Sequence, residues 1–273
     1  MNLVFVSGFL FPQKIIGADY FCGMPGRYPD ACFPDVPVAG SIAARAQALA
    51  RQIARRFPRS EIHIIAHSMG GLDARYLLSQ NLLGLSRPGR IVSLSTVSTP
   101  HHGSPLADLL LGPQRASHNS RRFAYGVMRR ILSRLGMGSG ALQNLTTGFA
   151  KQFNLENPKL EHIRYFCYAG SGDGSVLLSP THAYLESCGN TPEEKANDGL
   201  VSISSASWPG SLSEAPWPTD HLGEIGHYLG LRRRVPRFDH LAAFDRVIRN
   251  ASAKAPTGRI AVDALFAAAR ASG

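Results

Sequence analysis

The stretch "IHIIAHSMGGLDARYLL" (62–78) constrains this chain more than any other. A short apolar run of strand character breaks at Ser68, two glycines follow, and an apolar pattern of helical period resumes at Leu72. A strand that becomes a helix within three residues leaves Ser68 on a sharp corner, where small neighbours relieve the crowding. The pattern is G-x-S-x-G with Ala66 at the first glycine, so the corner must accommodate one extra methyl. Ser68 is then either part of a plain Ser-Gly turn or a nucleophile raised above the edge of a sheet.

The flanking sequence supports the second reading. "LVFVSGFLF" (3–11), "EIHIIA" (61–66), "RIVSLSTVST" (90–99) and "HIRYFCYAG" (162–170) read as strands, the first feeding a loop at Gly8. "SIAARAQALARQIARRF" (41–57) reads as a helix with Ile42, Ala46, Leu49, Ile53 and Phe57 on one stripe; Ser41 is its N-cap and Pro58 ends it. A second helix is expected over 71–83, and helices that cover the sheet over 239–250 and 258–271. Strand, helix, strand, helix, strand predicts a parallel α/β sheet. Residues 12–40, rich in Pro and Gly, read as irregular connection. Residues 104–161 read as an insertion over the sheet, with an amphipathic segment at 121–136 carrying Phe123, Val127, Ile131, Leu132 and Leu135. From Leu109 through Leu155 there are six Arg and one Lys but no acidic residue. The expected organisation is one domain, 1–273, with 104–161 as its cap.

Composition narrows the partners. With 273 residues, 44% of them apolar and 18% charged, the chain can bury a large core, and no apolar run approaches the roughly 18 residues of a membrane span. The net charge of +10 would suit nucleic acid, but there is no zinc-finger spacing, recognition-helix signature or aromatic-rich basic sheet motif, so nucleic acid is not an expected partner. The first strand starts at Leu3 without a charged leader or cleavage site. The chain as written reads as cytoplasmic, or as secreted if its start lies downstream of an export signal. Cys22, Cys32, Cys167 and Cys188 form no CxxC pair. Cys22–Cys32 and Cys167–Cys188 are the sequence-local pairings, and reduced thiols are expected without an export signal.

A serine hydroxyl attacks only when a histidine takes its proton, and the histidine needs an acid to orient it. Acids on suitable downstream loops are Asp173 in "GSGDGS" and Asp198 in "NDGLVS"; the downstream histidines are His162, His182, His221, His227 and His240. The same pattern without a complete triad would describe a non-catalytic hydrolase-like binding protein.

The motifs "IAHSMGGLDARYL", "STPHHGSPLAD", "ALQNLTTGFAKQFN", "NDGLVS" and "DHLGEIG", together with the N-terminal "VFVSGFLFPQKIIGADYF", stand in the order found in bacterial true lipases. From residue 3 to about 230 the chain resembles the Pseudomonas and Burkholderia type of that family. The resemblance implies an α/β-hydrolase fold: a mostly parallel central sheet flanked by helices, with a helical lid insertion. It implies carboxylic-ester hydrolysis by Ser68, Asp198 and His221, with Asp173 as the alternative acid and His240 as the alternative base. His67, His101 and His102 are expected to shape the site. The oxyanion donors it implies are the N–H groups of Met69 and Phe9, with Ser7 where the family has a histidine. Relatives hold the histidine loop with calcium through an Asp two residues after that histidine. Here the position is Gly223, with Glu224 beside it, so no metal or cofactor is expected. The expected substrates are acylglycerols or other esters of medium to long chain, met in transient contact with a lipid interface. A short-chain esterase, a polyester depolymerase and an acyltransferase use the same triad.

Overall fold

The computed structural model describes residues 1–9, 14–15, 17–38, 40–112, 126, 139–172, 175–208, 212–228 and 237–253. Its centre is a parallel sheet of β1 (Asn2–Val6), β4 (Ile62–His67), β5 (Ile91–Val97) and β6 (Arg164–Tyr168), in the order β1-β4-β5-β6. Between the first two in sequence lie a minimal antiparallel ladder, β2 (Lys14–Ile15) with β3 (Ala18–Asp19), a single turn α1 (Met24–Arg27), and the helix α2 (Ile42–Arg56). The segment expected to be irregular thus carries short elements, because Tyr20, Phe21 and Met24 bury their side chains under β1.

The strands are buried on both faces, which is why they read as continuous apolar runs rather than alternating ones. One face is covered by α2 and α3 (Gly70–Ser79), through a core that includes Leu49, Ile53, Ile64, Leu77 and Leu94. Each such side chain contributes about 1.5–3 kcal/mol by leaving water. Ser41 caps α2 by accepting from the Ala44 N–H. The helix expected over 71–83 stops at Ser79, since Asn81 takes a left-handed conformation (φ 46°) and Leu82–Gly84 is a 3₁₀ turn. Asn81 Oδ1 repays this by accepting from the amide and hydroxyl of Ser86.

After β5 the chain forms α4 (Pro105–Leu111), α5 (Ser139–Gln143) and α6 (Thr147–Glu156). The amphipathic segment 121–136 lies outside the described residues, Gly126 excepted, and so does the helix expected over 258–271. Following β6 come α7 (Ser179–Cys188), α8 (Pro192–Lys195) and α9 (Ile203–Ala206), then α10 (His240–Ser252). Helix α10 packs Phe244 and Val247 on the second face of the sheet, against Phe5, Phe21 and Trp217. All four cysteines are free, so neither sequence-local pairing forms. Among the described residues no helix is long and apolar enough to cross a membrane.

Candidate active site

In a parallel sheet the loops at the carboxyl ends of the strands share one edge, and a site gathers there. Ser7, Ser68, Ser98 and Gly170 all follow such ends. Ser68 has φ 55°, and Ser98, after the adjacent strand, has φ 43°. A non-glycine residue in this region costs about 1–3 kcal/mol and persists only where its surroundings impose it. Ser68 is held by its N–H donating to Val97 O (2.9 Å) and by its carbonyl accepting from Thr99 Oγ1 (2.7 Å). The glycines of "SMGG" are needed for contact: a Cβ on Gly70 would lie 2.7 Å from Val6 O and Ser7 O, and one on Gly71 would overlap Thr99. Ala66 is fully buried within β4.

Asp198 is set by its own turn, Oδ1 accepting from the amides of Leu200 (2.8 Å) and Val201 (2.7 Å). Its Oδ2 lies 2.7 Å from His221 Nδ1, and the His221 N–H donates to Asp198 O (2.9 Å). Burial alone would raise the Asp198 carboxyl, but the His221 imidazole and these amides outweigh it and hold it below the usual range. Ser68 and His221 share the wall of one pocket. The rest of that wall is largely apolar and includes Leu106, Ala107 and Leu110 of α4, Leu142 of α5, and Leu200 and Ile225. Phe9 lines it as well, while Met69 is buried at the start of α3.

The structure brings Ser68, Asp198, His221, Phe9 and Met69 together. His240 is elsewhere: at the start of α10 its Nε2–H donates to Cys22 O (2.8 Å) and its ring packs on Gly226, so it is no alternative base. Asp173 lies outside the described residues. His67 and His101 are buried beside the site, both with pKa values lowered well below the usual one by burial. His101 is fixed between Thr96 Oγ1 and Arg75, whereas His102 is exposed.

Three further residues around this site were not singled out by the sequence. Arg45, fully buried on α2, donates to Asp73 Oδ2 (2.8 Å), Ser7 O (2.8 Å) and Gly8 O (3.1 Å), tying the loop after β1 to the nucleophile helix. Its signal was a charge three residues after Ile42, on the face of α2 that the apolar stripe marks as buried. Tyr20 Oη accepts the Gly8 N–H (2.9 Å). Glu224, fully buried three residues after His221, accepts from Ser98 Oγ (2.6 Å) and sits 2.9 Å from His67 Nε2 and 3.9 Å from His221 Nδ1. Burial, and then the facing Asp198 charge, push the Glu224 carboxyl well above the carboxylate range.

Around Gly223 the histidine loop is closely packed. A side chain at Gly223 would overlap Thr219, and Asp220 Oδ1 already accepts the Gly223 N–H (2.8 Å). Both Asp198 oxygens are engaged within the site. Among the described residues the one cluster of metal-ligating type is His67, His221 and Glu224.

Fold and site together define an α/β-hydrolase. No family model matches the chain. Triacylglycerol lipase 2 of Saccharomyces cerevisiae is 35% identical over 200 residues, covering 70% of this chain and 56% of the yeast protein. The chain thus spans little over half of that relative. The triacylglycerol lipase of Pseudomonas fragi is 30% identical over 237 residues, 74% of this chain and 78% of that protein. That of Vibrio cholerae is 25% identical over 259 residues, 84% and 80%. Among solved structures, mature Bacillus licheniformis lipase BlEst2 superposes with a TM-score of 0.65 at 20% identity, covering 92% of each chain. Staphylococcus hyicus lipase superposes at 0.62 and 17%, covering 91% of this chain and 94% of its own. The chain belongs to the lipase family of the α/β-hydrolase type.

Proposed function

We propose that this chain cleaves acylglycerols or related esters of medium to long acyl chain through an acyl-enzyme. The observation that carries this reading is the pocket, apolar over most of its wall and lined by both Ser68 and His221. An acyl chain enters such a site by the hydrophobic effect, and its carbonyl is left at the serine. Ser68 Oγ attacks the ester carbon while His221 takes its proton, with Asp198 fixing the imidazole through Nδ1. The N–H groups of Phe9 and Met69 meet the oxyanion. His221 then returns the proton to the departing alkoxide, and water releases the acid by the same steps.

The triacylglycerol lipases among the relatives support the substrate class, and the Pseudomonas fragi likeness supports placing the chain with the Pseudomonas and Burkholderia type. A cap role for the insertion is supported by its described helices α4 and α5, which supply much of the pocket wall. A panel of p-nitrophenyl esters from two to sixteen carbons, with wild type and Ser68→Ala, tests the reading. Activity is expected only in wild type, with a maximum beyond short chains. Equal activity in Ser68→Ala would remove the catalytic claim, and a maximum at acetate would make the protein a short-chain esterase.

A further inference from the structure

We infer that Tyr20 is a positioning residue that sets the oxyanion loop through the Gly8 amide, and that the chain Tyr20–His67–Glu224 couples this loop to His221. The inference rests on the triad proposed above.

For Phe9 to present its N–H, the peptide before it must be fixed. Gly8 leaves little latitude: a Cβ there would lie 2.6 Å from Ser68 Cβ and 2.7 Å from Tyr20 Oη. Arg45 holds the carbonyls of Ser7 and Gly8, and Tyr20 Oη takes the Gly8 N–H. These are backbone bonds, so they serve whichever side chain occupies position 7. Tyr20 is itself rigid, its ring buried edge-on against Phe21 (5.0 Å) and His67 (5.7 Å).

The donors can be followed link by link. The Ser98 Oγ accepts the Gly170 N–H (3.1 Å) and gives its own proton to Glu224 Oε1 (2.6 Å). Glu224 Oε2 lies 2.9 Å from His67 Nε2; in the Nε2–H tautomer that the proposal assigns, the ring donates to Glu224 and Nδ1 of the neutral ring is an acceptor. With that tautomer Tyr20 donates to His67 Nδ1 (2.7 Å) and accepts from Gly8. Every link is buried and donates in one direction, from the oxyanion loop to a carboxyl group 3.9 Å from His221 Nδ1. Linked bonds of this kind strengthen one another in a low-dielectric interior. The loop that meets the oxyanion and the histidine that becomes imidazolium thus share one network.

The test uses Tyr20→Phe and Glu224→Gln in the full chain. Phenylalanine keeps the ring and removes both bonds; glutamine offers one carbonyl oxygen to two donors, Ser98 and His67. Tyr20→Phe is expected to lower kcat at least tenfold with KM within about twofold, and to weaken an alkylboronic acid, which forms a tetrahedral adduct at Ser68, by the same factor. A purely structural role would change Tm but not that match. In the double variant the loss should stay within about twofold of the worse single variant; full multiplication of the two losses would overturn the coupling. Unchanged kcat and boronate affinity in Tyr20→Phe would overturn the positioning role. If wild type fails to react with a fluorophosphonate at Ser68, it is the triad reading that falls. Should the variants not fold, ¹⁵N-histidine NMR of wild type decides: His67 must carry its proton on Nε2, and the Nδ1–H form would overturn the chain.

Discussion

Replacing Arg45 by methionine keeps much of the side chain's volume and removes every donor. The guanidinium serves Asp73 Oδ2, Pro37 O, Ser7 O and Gly8 O from a fully buried position. Asp73 is equally buried, and its Oδ1 has no hydrogen-bond partner among the described residues. Breaking one side of a buried ion pair costs about 3–5 kcal/mol, and each orphaned carbonyl roughly 1–3 kcal/mol. Since Asp73 can relieve part of the cost by taking up a proton, a net loss of about 4 kcal/mol is expected, or roughly 8–16 °C in Tm for a chain of this size. Burial already outweighs Arg45 and pushes the Asp73 carboxyl up to about 6. A folded value above the unfolded one favours the folded state at low pH, and that contribution is lost as pH rises through about 6. Without Arg45 the folded value rises further, so the deficit of Arg45→Met must be larger at pH 8 than at pH 5. Thermal unfolding of both proteins at the two pH values reads this directly, and Arg45→Met/Asp73→Leu should recover part of the loss. A Tm within about 2 °C of wild type at pH 8, or a larger deficit at pH 5, would refute the reasoning.

Further outcomes follow from the site. Ala107 lines the acyl cavity from α4, so Ala107→Phe should fill part of it. KM for a long-chain ester is expected to rise about tenfold while a butyrate ester changes less than threefold, read from the same ester panel. Asp198→Asn should lower kcat at least tenfold, an unchanged rate moving the acid role to another residue. Because the folded value of Asp198 is depressed, its contribution to stability is present above about pH 4 and lost as pH falls through that folded value. The stability gap between wild type and Asp198→Asn should therefore narrow in acid. With Gly223 in the histidine loop, EDTA is expected to leave Tm within about 1 °C and activity unchanged; recovery of a lost activity by calcium would contradict the donor assignment.

What the sequence displayed well was everything periodic. The strands, α2 with its Ser41 cap and the Ser68 corner follow from spacing alone, because a buried parallel strand and an amphipathic helix leave continuous and 3.6-residue patterns. The choice between His221 and His240 was not local. Both sit in a "DHL" tripeptide, and only the turn that points Asp198 Oδ2 at His221 separates them. Tyr20, Arg45, Asp73 and Glu224 were hard to read for the same reason: their side-chain hydrogen-bond partners lie between 8 and 157 positions away along the chain, where no period links them. Arg45 alone left a trace, as a charge on an apolar stripe. The boundary of α3 was missed because Asn81 adopts a left-handed turn that its own side chain stabilises.

The central claim is that Ser68 is the nucleophile of an ester hydrolase, and one measurement meets it most directly. Wild type is incubated with a long-chain alkyl fluorophosphonate, digested, and read by mass spectrometry alongside residual esterase activity. The account predicts one adduct, on the peptide carrying Ser68, with activity lost in proportion to labelling and no adduct in Ser68→Ala. Full activity in a protein labelled at Ser68, or loss of activity with the label on another residue, would contradict it.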